Sequence, residues 1–323
     1  MTNNPSTLKI KKSTLLNSGG FSVFFTLFSC SAVFLLSLFF SDKIAHSVRS
    51  GLSLSANVII PSVFPFIVFS DFLYSYINFN KLKFLGDMFE RAFKINRVGL
   101  YPFILGVLCG FPLGVRCASE LYKDGKLTKD EAERIIGFAN NTGPAFLVSG
   151  IGLGLRKSIT EGFLLYFIMV FSAIVVGLIF SHGKSQSKIK QEFSGAGNFS
   201  FTSSIKNAGM ATLNICSYLT FFACIVGLSR NVLGENYIYL SIVPFLEVGS
   251  ATSILSKTKL LNDCMSLALS GFAVGFSGFS VHLQALSFLD NTDLNPKRYF
   301  IMKLLQGVIS FALIIPIYMI FFW

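Results

Sequence analysis

Arg116, Glu247, His282 and Gln284 stand within or beside long apolar stretches of this chain. An ionisable or hydrogen-bonding side chain is costly there and marks a functional hypothesis. Arg116 follows Gly110-Phe111-Pro112-Leu113-Gly114, a run that breaks a helix. Its guanidinium can grip a carboxylate through two parallel hydrogen bonds; it can equally snorkel to an interface or pair with Glu120. Glu247 closes the uncharged run Tyr237 to Leu246. Its carboxylate can bind a coupling cation, a proton, or a substrate hydroxyl or amine, or it can end the segment among lipid head groups. His282 and Gln284 lie in a second glycine-rich stretch that contains Gly275, Ser277 and Gly278. They can reach a substrate's ring nitrogen or carboxylate, or hydrogen-bond between helices. Asn140, Asn141 and Thr142 precede Gly143-Pro144, where one helix stops and another apolar element begins. Carbonyls exposed at such an end can coordinate Na⁺, and the following helix N-terminus favours an anion; the alternative is a surface turn.

These side chains need elements that hold them at membrane depth. Phe21 to Phe40 carries no charge over 20 residues, enough to cross about 30 Å of hydrocarbon. No A-x-A cleavage site follows it, so it reads as an uncleaved transmembrane helix. Leu52 to Tyr76 is apolar but contains Pro61 and Pro65, which remove two backbone donors and kink or unwind it. Residues 80–96 alternate basic and apolar side chains, the pattern of a helix lying on the membrane surface. Thr128 with Glu131 three residues on is a capping box. Ile159 to Phe180, Ala208 to Leu228 and Tyr299 to Trp323 are long enough to span. Cys264 to Leu289 is apolar but interrupted.

The chain divides at a Ser/Gly/Lys-rich loop, residues 182–204. A basic N-terminus (1–20) and a first span (21–40) precede one half, 50–181; the second half is 205–323. Glycine-rich breaks at Gly110-Phe111 and Gly275-Phe276 sit late in an apolar segment of each half. Paired interruptions of this kind point to an inverted-repeat transporter whose two breaks meet at the bilayer midplane. The expected fold is an all-α integral membrane protein, a polytopic bundle of two inverted-repeat halves with broken or re-entrant helices. Lys9 to Lys12, Lys184 to Lys190, and Lys297, Arg298 and Lys303 place the N-terminus, the central loop and the start of the last span on the cytoplasmic side by the positive-inside bias.

Composition sets the class. Hydrophobic residues are 52% of the chain and charged residues 13%, against about 25% charged in soluble domains. The 37 Phe residues suit lipid contact. The net charge of +11 lies in short clusters between apolar runs; this is a topology signal, with no nucleic-acid module. Six scattered cysteines and three histidines offer no metal frame. No G-x-S-x-G, H-E-x-x-H or Walker loop occurs, so no enzyme is expected. The expected partners are the lipid bilayer and a small-molecule substrate, with room for a homo-oligomer, no cofactor, and coupling to Na⁺ or H⁺.

The segments Ile60-Pro61-Ser62-Val63-Phe64-Pro65-Phe66, Cys109 to Glu120, Lys126 to Phe146, Phe245 to Gly249 and Gly275 to Gln284 together resemble the sporulation integral membrane protein YlbJ family. That family is part of the nucleoside-recognition Gate group, which is similar to concentrative nucleoside transporters. The resemblance implies a membrane around the developing spore, the outer forespore membrane, and movement of dipicolinate, a small aromatic dianion. Val248 and Ser250 depart from the more Thr/Gly-like pattern expected there. Two readings stand beside dipicolinate transport: a Na⁺- or H⁺-coupled nucleoside or nucleobase transporter, and a non-transporting scaffold for spore assembly. The expected substrate contacts are Gly110, Phe111, Pro112, Arg116, Asn140, Asn141, Thr142, Glu247, Ser277, His282 and Gln284.

Overall fold

The computed structural model describes residues 31, 35, 38–76, 83–182, 200–290 and 292–321. The basic N-terminus, most of the expected first span and nearly all of the central loop lie outside these. Every regular element among the described residues is helical. Four helices are long and apolar enough to cross a membrane: Ile159–Ile179, Phe201–Leu233, Asp263–Ser287 (which holds one break) and Lys297–Phe321.

The first described element, α1 (Ser41–Leu54), runs through a π-helical stretch, Ser55–Ile59, into α2 (Ile60–Tyr76). The prolines therefore do not unwind this segment. Pro61 stands just after the π-helical stretch, and the helix continues through both Pro61 and Pro65. The surface helix is α3 (Lys83–Phe93): Phe84 is 80% exposed on one face while Phe89 and Phe93 are buried on the other.

Two short helices follow, α4 (Leu100–Leu108) and α5 (Leu113–Lys123), then α6 (Lys129–Ala139), a π-helix (Ala145–Arg156) and the span α7 (Ile159–Ile179). The α4–α5 pair is a re-entrant hairpin. Its two ends meet at the start of α6: the Asn96 N–H donates to Glu131 Oε1 at 2.9 Å, and Arg134 donates to the carbonyls of Phe93 and Lys94 at 2.8 Å. Each arm measures about 15 Å at 1.5 Å per residue, half a bilayer. Glu131 also completes the expected capping box with Thr128. The tip, residues 109–112, seats against the break between α6 and the π-helix.

The second half repeats this order. The long α8 (Phe201–Leu233) leads to α9 (Tyr237–Leu246) and α10 (Val248–Leu255), a second hairpin with its tip at Glu247. Then come α11 (Asp263–Phe276), a break at Ser277, α12 (Gly278–Ser287) and the last span, α13 (Lys297–Phe321). The two hairpins enter from opposite ends of α7. The base of the first lies at its C-terminal end, where His182 Nε2 is 3.9 Å from Asp130. The base of the second lies at its N-terminal end. There Ser266 donates to the Leu255 carbonyl at 2.6 Å, and Arg156, paired with Glu161 of α7, donates to Ser266 Oγ at 3.1 Å. The halves are thus inverted with respect to each other, as the paired interruptions predict.

The expected matching of breaks shifts by one place. By element order, the counterpart of the Gly110-Phe111 tip is Leu246-Glu247, and the counterpart of Ser277-Gly278 is Asn140 to Gly143. The glycine count misled because the second tip turns on a glutamate that caps the next helix, with no glycine at the turn itself. Outside the spans, Tyr122 and Lys129 both donate to Asp293, at 2.5 and 2.9 Å, tying the first hairpin to the loop before α13. Those bonds hold the Asp293 carboxyl below its ordinary pKa.

Candidate functional site

Each hairpin tip rests on the backbone of a broken helix, and sequence sets how close it comes. Gly110 has φ +86°, and a β-carbon there would lie 2.7 Å from the Gly143 nitrogen. The Phe111–Pro112 peptide beside it is cis. In the second half Gly278 has φ +68°, and a β-carbon would lie 3.2 Å from Glu247 Cα and the Leu246 carbonyl oxygen. Only glycine adopts these conformations and approaches at no steric cost. Both contacts therefore place unwound backbone against unwound backbone, the arrangement that transporters use around a binding site.

Glu247 is 1% exposed, so it does not sit among head groups. Its carboxylate accepts the N–H of Gly249 at 2.7 Å and that of Ser250, capping α10. A carboxylate at a helix N-terminus satisfies donors that otherwise have no partner and meets the positive end of the helix dipole.

The first half's break is fastened to the second half by a buried polar network. Asn140 Nδ2 donates to Tyr299 Oη at 2.9 Å, and the same oxygen lies 2.8 Å from His282 Nδ1. Lys303 donates to the Asn140 carbonyl and to Gln306 Oε1, both at 2.8 Å. Gln306 Nε2 donates to Asn141 Oδ1 at 2.9 Å and to the Met169 carbonyl at 3.2 Å. Met169 is the middle residue of α7, so the network lies at mid-depth. Asn141 also donates to Phe138 O at 2.7 Å. Ser277 and Gln284 are buried nearby on the second broken helix. Buried oxygens or nitrogens of Asn140 (Oδ1), Thr142, His282 (Nε2) and Gln284 (Oε1) have no hydrogen-bond partner among the described residues. Buried polar atoms are normally paired; these four lie on the two broken segments, and four more unpaired side-chain atoms lie elsewhere, on Ser55, Thr212, Thr220 and Tyr239. Thr142 also borders an apolar cavity of about 30 Å³, lined by Gly110, Phe111, Ile59 and Val63.

A far larger cavity, about 1060 Å³, opens at the far end of α8, between that helix, α1 and the second hairpin. Gly249 and Ser250, the two residues capped by Glu247, are among its lining. The lining carries the cations Lys43, Arg49, Arg230 and Lys257 against the single carboxylate of Glu235, which is paired with Arg230.

Arg116 is in neither place. It pairs with Glu120 at 3.0 Å and Asp71 at 3.5 Å, and Asp71 accepts from Ser204 at 2.9 Å. Ser204 is about 28 Å along α8 from Ala223 in the cavity wall. The structure therefore brings together Asn140, Asn141 and His282, and sets Gly110 to Pro112 beside Thr142. It puts Glu247 under the cavity and leaves Arg116 as the junction of α2, α5 and α8. Tyr299, Lys303 and Gln306 were missed in the sequence. Lys303 was read as a cytoplasmic topology signal, yet it is 0% exposed. The signal was present: Tyr299, Lys303, Gln306 and Ser310 recur at helical spacing and form one polar stripe along an apolar helix.

No family model matches the chain, and no solved structure does. The chain is similar to the sporulation integral membrane protein YlbJ of Bacillus subtilis (strain 168), 24% identical over 311 residues that cover 80% of this chain and 74% of that protein.

Proposed function

We propose that this chain, an integral membrane protein similar to a sporulation protein, is itself sporulation-associated and transports a small anionic metabolite, with dipicolinate the first substrate to test. The observation that carries this is the cavity of about 1060 Å³ lined by Lys43, Arg49 and Lys257 and floored by the tip of a re-entrant hairpin. Exposed cations lining an open recess raise the local concentration of an anion. A tip seated on a broken helix provides backbone donors and acceptors at depth. A scaffold needs neither feature.

The test is uptake into proteoliposomes of labelled dipicolinate against labelled uridine, with and without a Na⁺ gradient. Saturable dipicolinate uptake is expected. Replacing Arg49 and Lys257 by Gln should raise its half-saturation about tenfold or more, since losing a charge-assisted contact costs roughly 1.5–3 kcal/mol. Uptake of uridine alone would overturn the anion reading in favour of nucleoside transport, and uptake of neither would overturn transport of both substrate classes.

A further inference from the structure

Lys303 is the most demanding residue in the network. Its ammonium is fully buried halfway through the bundle, and none of the ion pairs among the described residues includes it. A buried charge is normally matched by an opposite charge. Here it donates to two neutral oxygens at 2.8 Å, the Asn140 carbonyl and Gln306 Oε1. Asn140 is the C-cap of α6, so its carbonyl belongs to the helix end whose acceptors lack intrahelical donors and whose dipole is negative. Two further oxygens of the same break, Asn140 Oδ1 and Thr142 Oγ1, are buried and carry no hydrogen-bond partner among the described residues. The facing groups are otherwise neutral or cationic in kind: Tyr299, His282 and Gln306 from the second half, and Asn141 from the first. Neutral oxygens at a helix C-terminus are the ligands that a monovalent cation takes in transporters, and Nζ is bonded to two of them.

We propose that the break at Asn140 to Thr142 is a monovalent-cation site that the chain fills with its own Lys303 ammonium. The tethered charge stands where a bound Na⁺ would stand. It fastens the first half's broken helix to the last span without drawing an ion from solution. The inference deepens the transport reading by removing Na⁺ as the ion bound at this break, but its test uses no transport.

The decisive substitution is Lys303→Ala, which vacates the Nζ position together with the space a cation needs around it. Lys303→Met removes the ammonium but leaves a terminal methyl one bond length, roughly 1.5 Å, from the Nζ position, so no cation fits there. The full-length protein in detergent is heated in choline chloride, NaCl or methylammonium chloride at equal ionic strength. A cation that binds only the folded state raises the midpoint. The wild type should melt alike in all three salts. Both variants should melt lower in choline; Lys303→Ala should recover part of the loss in NaCl or methylammonium chloride, and Lys303→Met should not. Should Lys303→Ala not survive extraction in choline, extraction in NaCl should restore folded yield. A wild-type midpoint that rises with Na⁺ overturns the proposal. So does failure of both Na⁺ and methylammonium to improve either the midpoint or the folded yield of Lys303→Ala. Absent uptake in proteoliposomes would instead sink the transport reading and leave this result standing.

Discussion

At the scale of single residues, two atoms decide how closely the first hairpin meets its broken helix. Gly110 combines φ +86° with a β-carbon position 2.7 Å from the Gly143 nitrogen. Gly125 has a similar φ of +69°, yet nothing lies within 4 Å of its β-carbon position. Gly125→Ala therefore measures backbone strain alone, about 1–2 kcal/mol. Gly110→Ala adds an overlap with backbone that cannot rotate away, so it should cost distinctly more, about 3 kcal/mol or above. Comparing melting midpoints of the two variants in detergent checks this, and equal losses would show that the tip has room to retreat. The same scale explains Arg116. Its carboxylate partners Glu120 and Asp71 already occupy the fork that was expected to hold a substrate.

At the scale of elements, Glu247 does the work that a loop would otherwise do. It ends α9 and caps α10 in a single residue. Glu247→Gln keeps one acceptor and should lose about 1–2 kcal/mol. Glu247→Ala leaves two buried N–H groups unpaired and should lose about 2–5 kcal/mol. Chemical or thermal denaturation would rank them, and an alanine variant as stable as the glutamine one would mean that the N–H groups find other partners. Much at this scale was legible in the sequence. The spans Ile159–Ile179 and Lys297–Phe321, the Thr128 cap and the breaks near Gly110, Asn140 and Ser277 follow from apolar runs, a capping box and glycine or proline punctuation. The hairpin fold of α4–α5 did not. An apolar stretch of that length reads as part of a crossing, and only the long-range bonds from Asn96 and Arg134 show that it turns back. The network was half legible. Asn140, Asn141 and His282 stood out beside helix breaks, whereas Lys303 sat close to Lys297 and Arg298 and took its meaning from them.

At the scale of the whole molecule, two hairpins enter from opposite ends of one bundle, and the proposed transport would use them to turn a site at their tips to either side. Cysteine labelling tests the arrangement in a background with the native cysteines replaced. Ser253→Cys, in the wall of the large cavity, and Lys126→Cys, in the turn at the base of the first hairpin, should react with an impermeant maleimide from opposite faces of the membrane. Reaction of both from one face would refute the inverted entry.

The length of α8 has a consequence for the lipid itself. Its 33 residues measure about 50 Å, while the hydrocarbon is about 30 Å thick. Helix tilts of up to 40° cannot hide the difference. Its apolar middle, residues 208–228, matches the bilayer on its own, so both polar ends must stand in the interfacial layers. Arg230, at the cavity rim, then lies level with phospholipid phosphates, and so does Lys43 across from it. Anionic head groups are thereby neighbours of the same cations that would receive a solute. A membrane rich in acidic lipid would act as a standing competitor at the mouth, and a membrane poor in it would leave the entrance more attractive to passing anions.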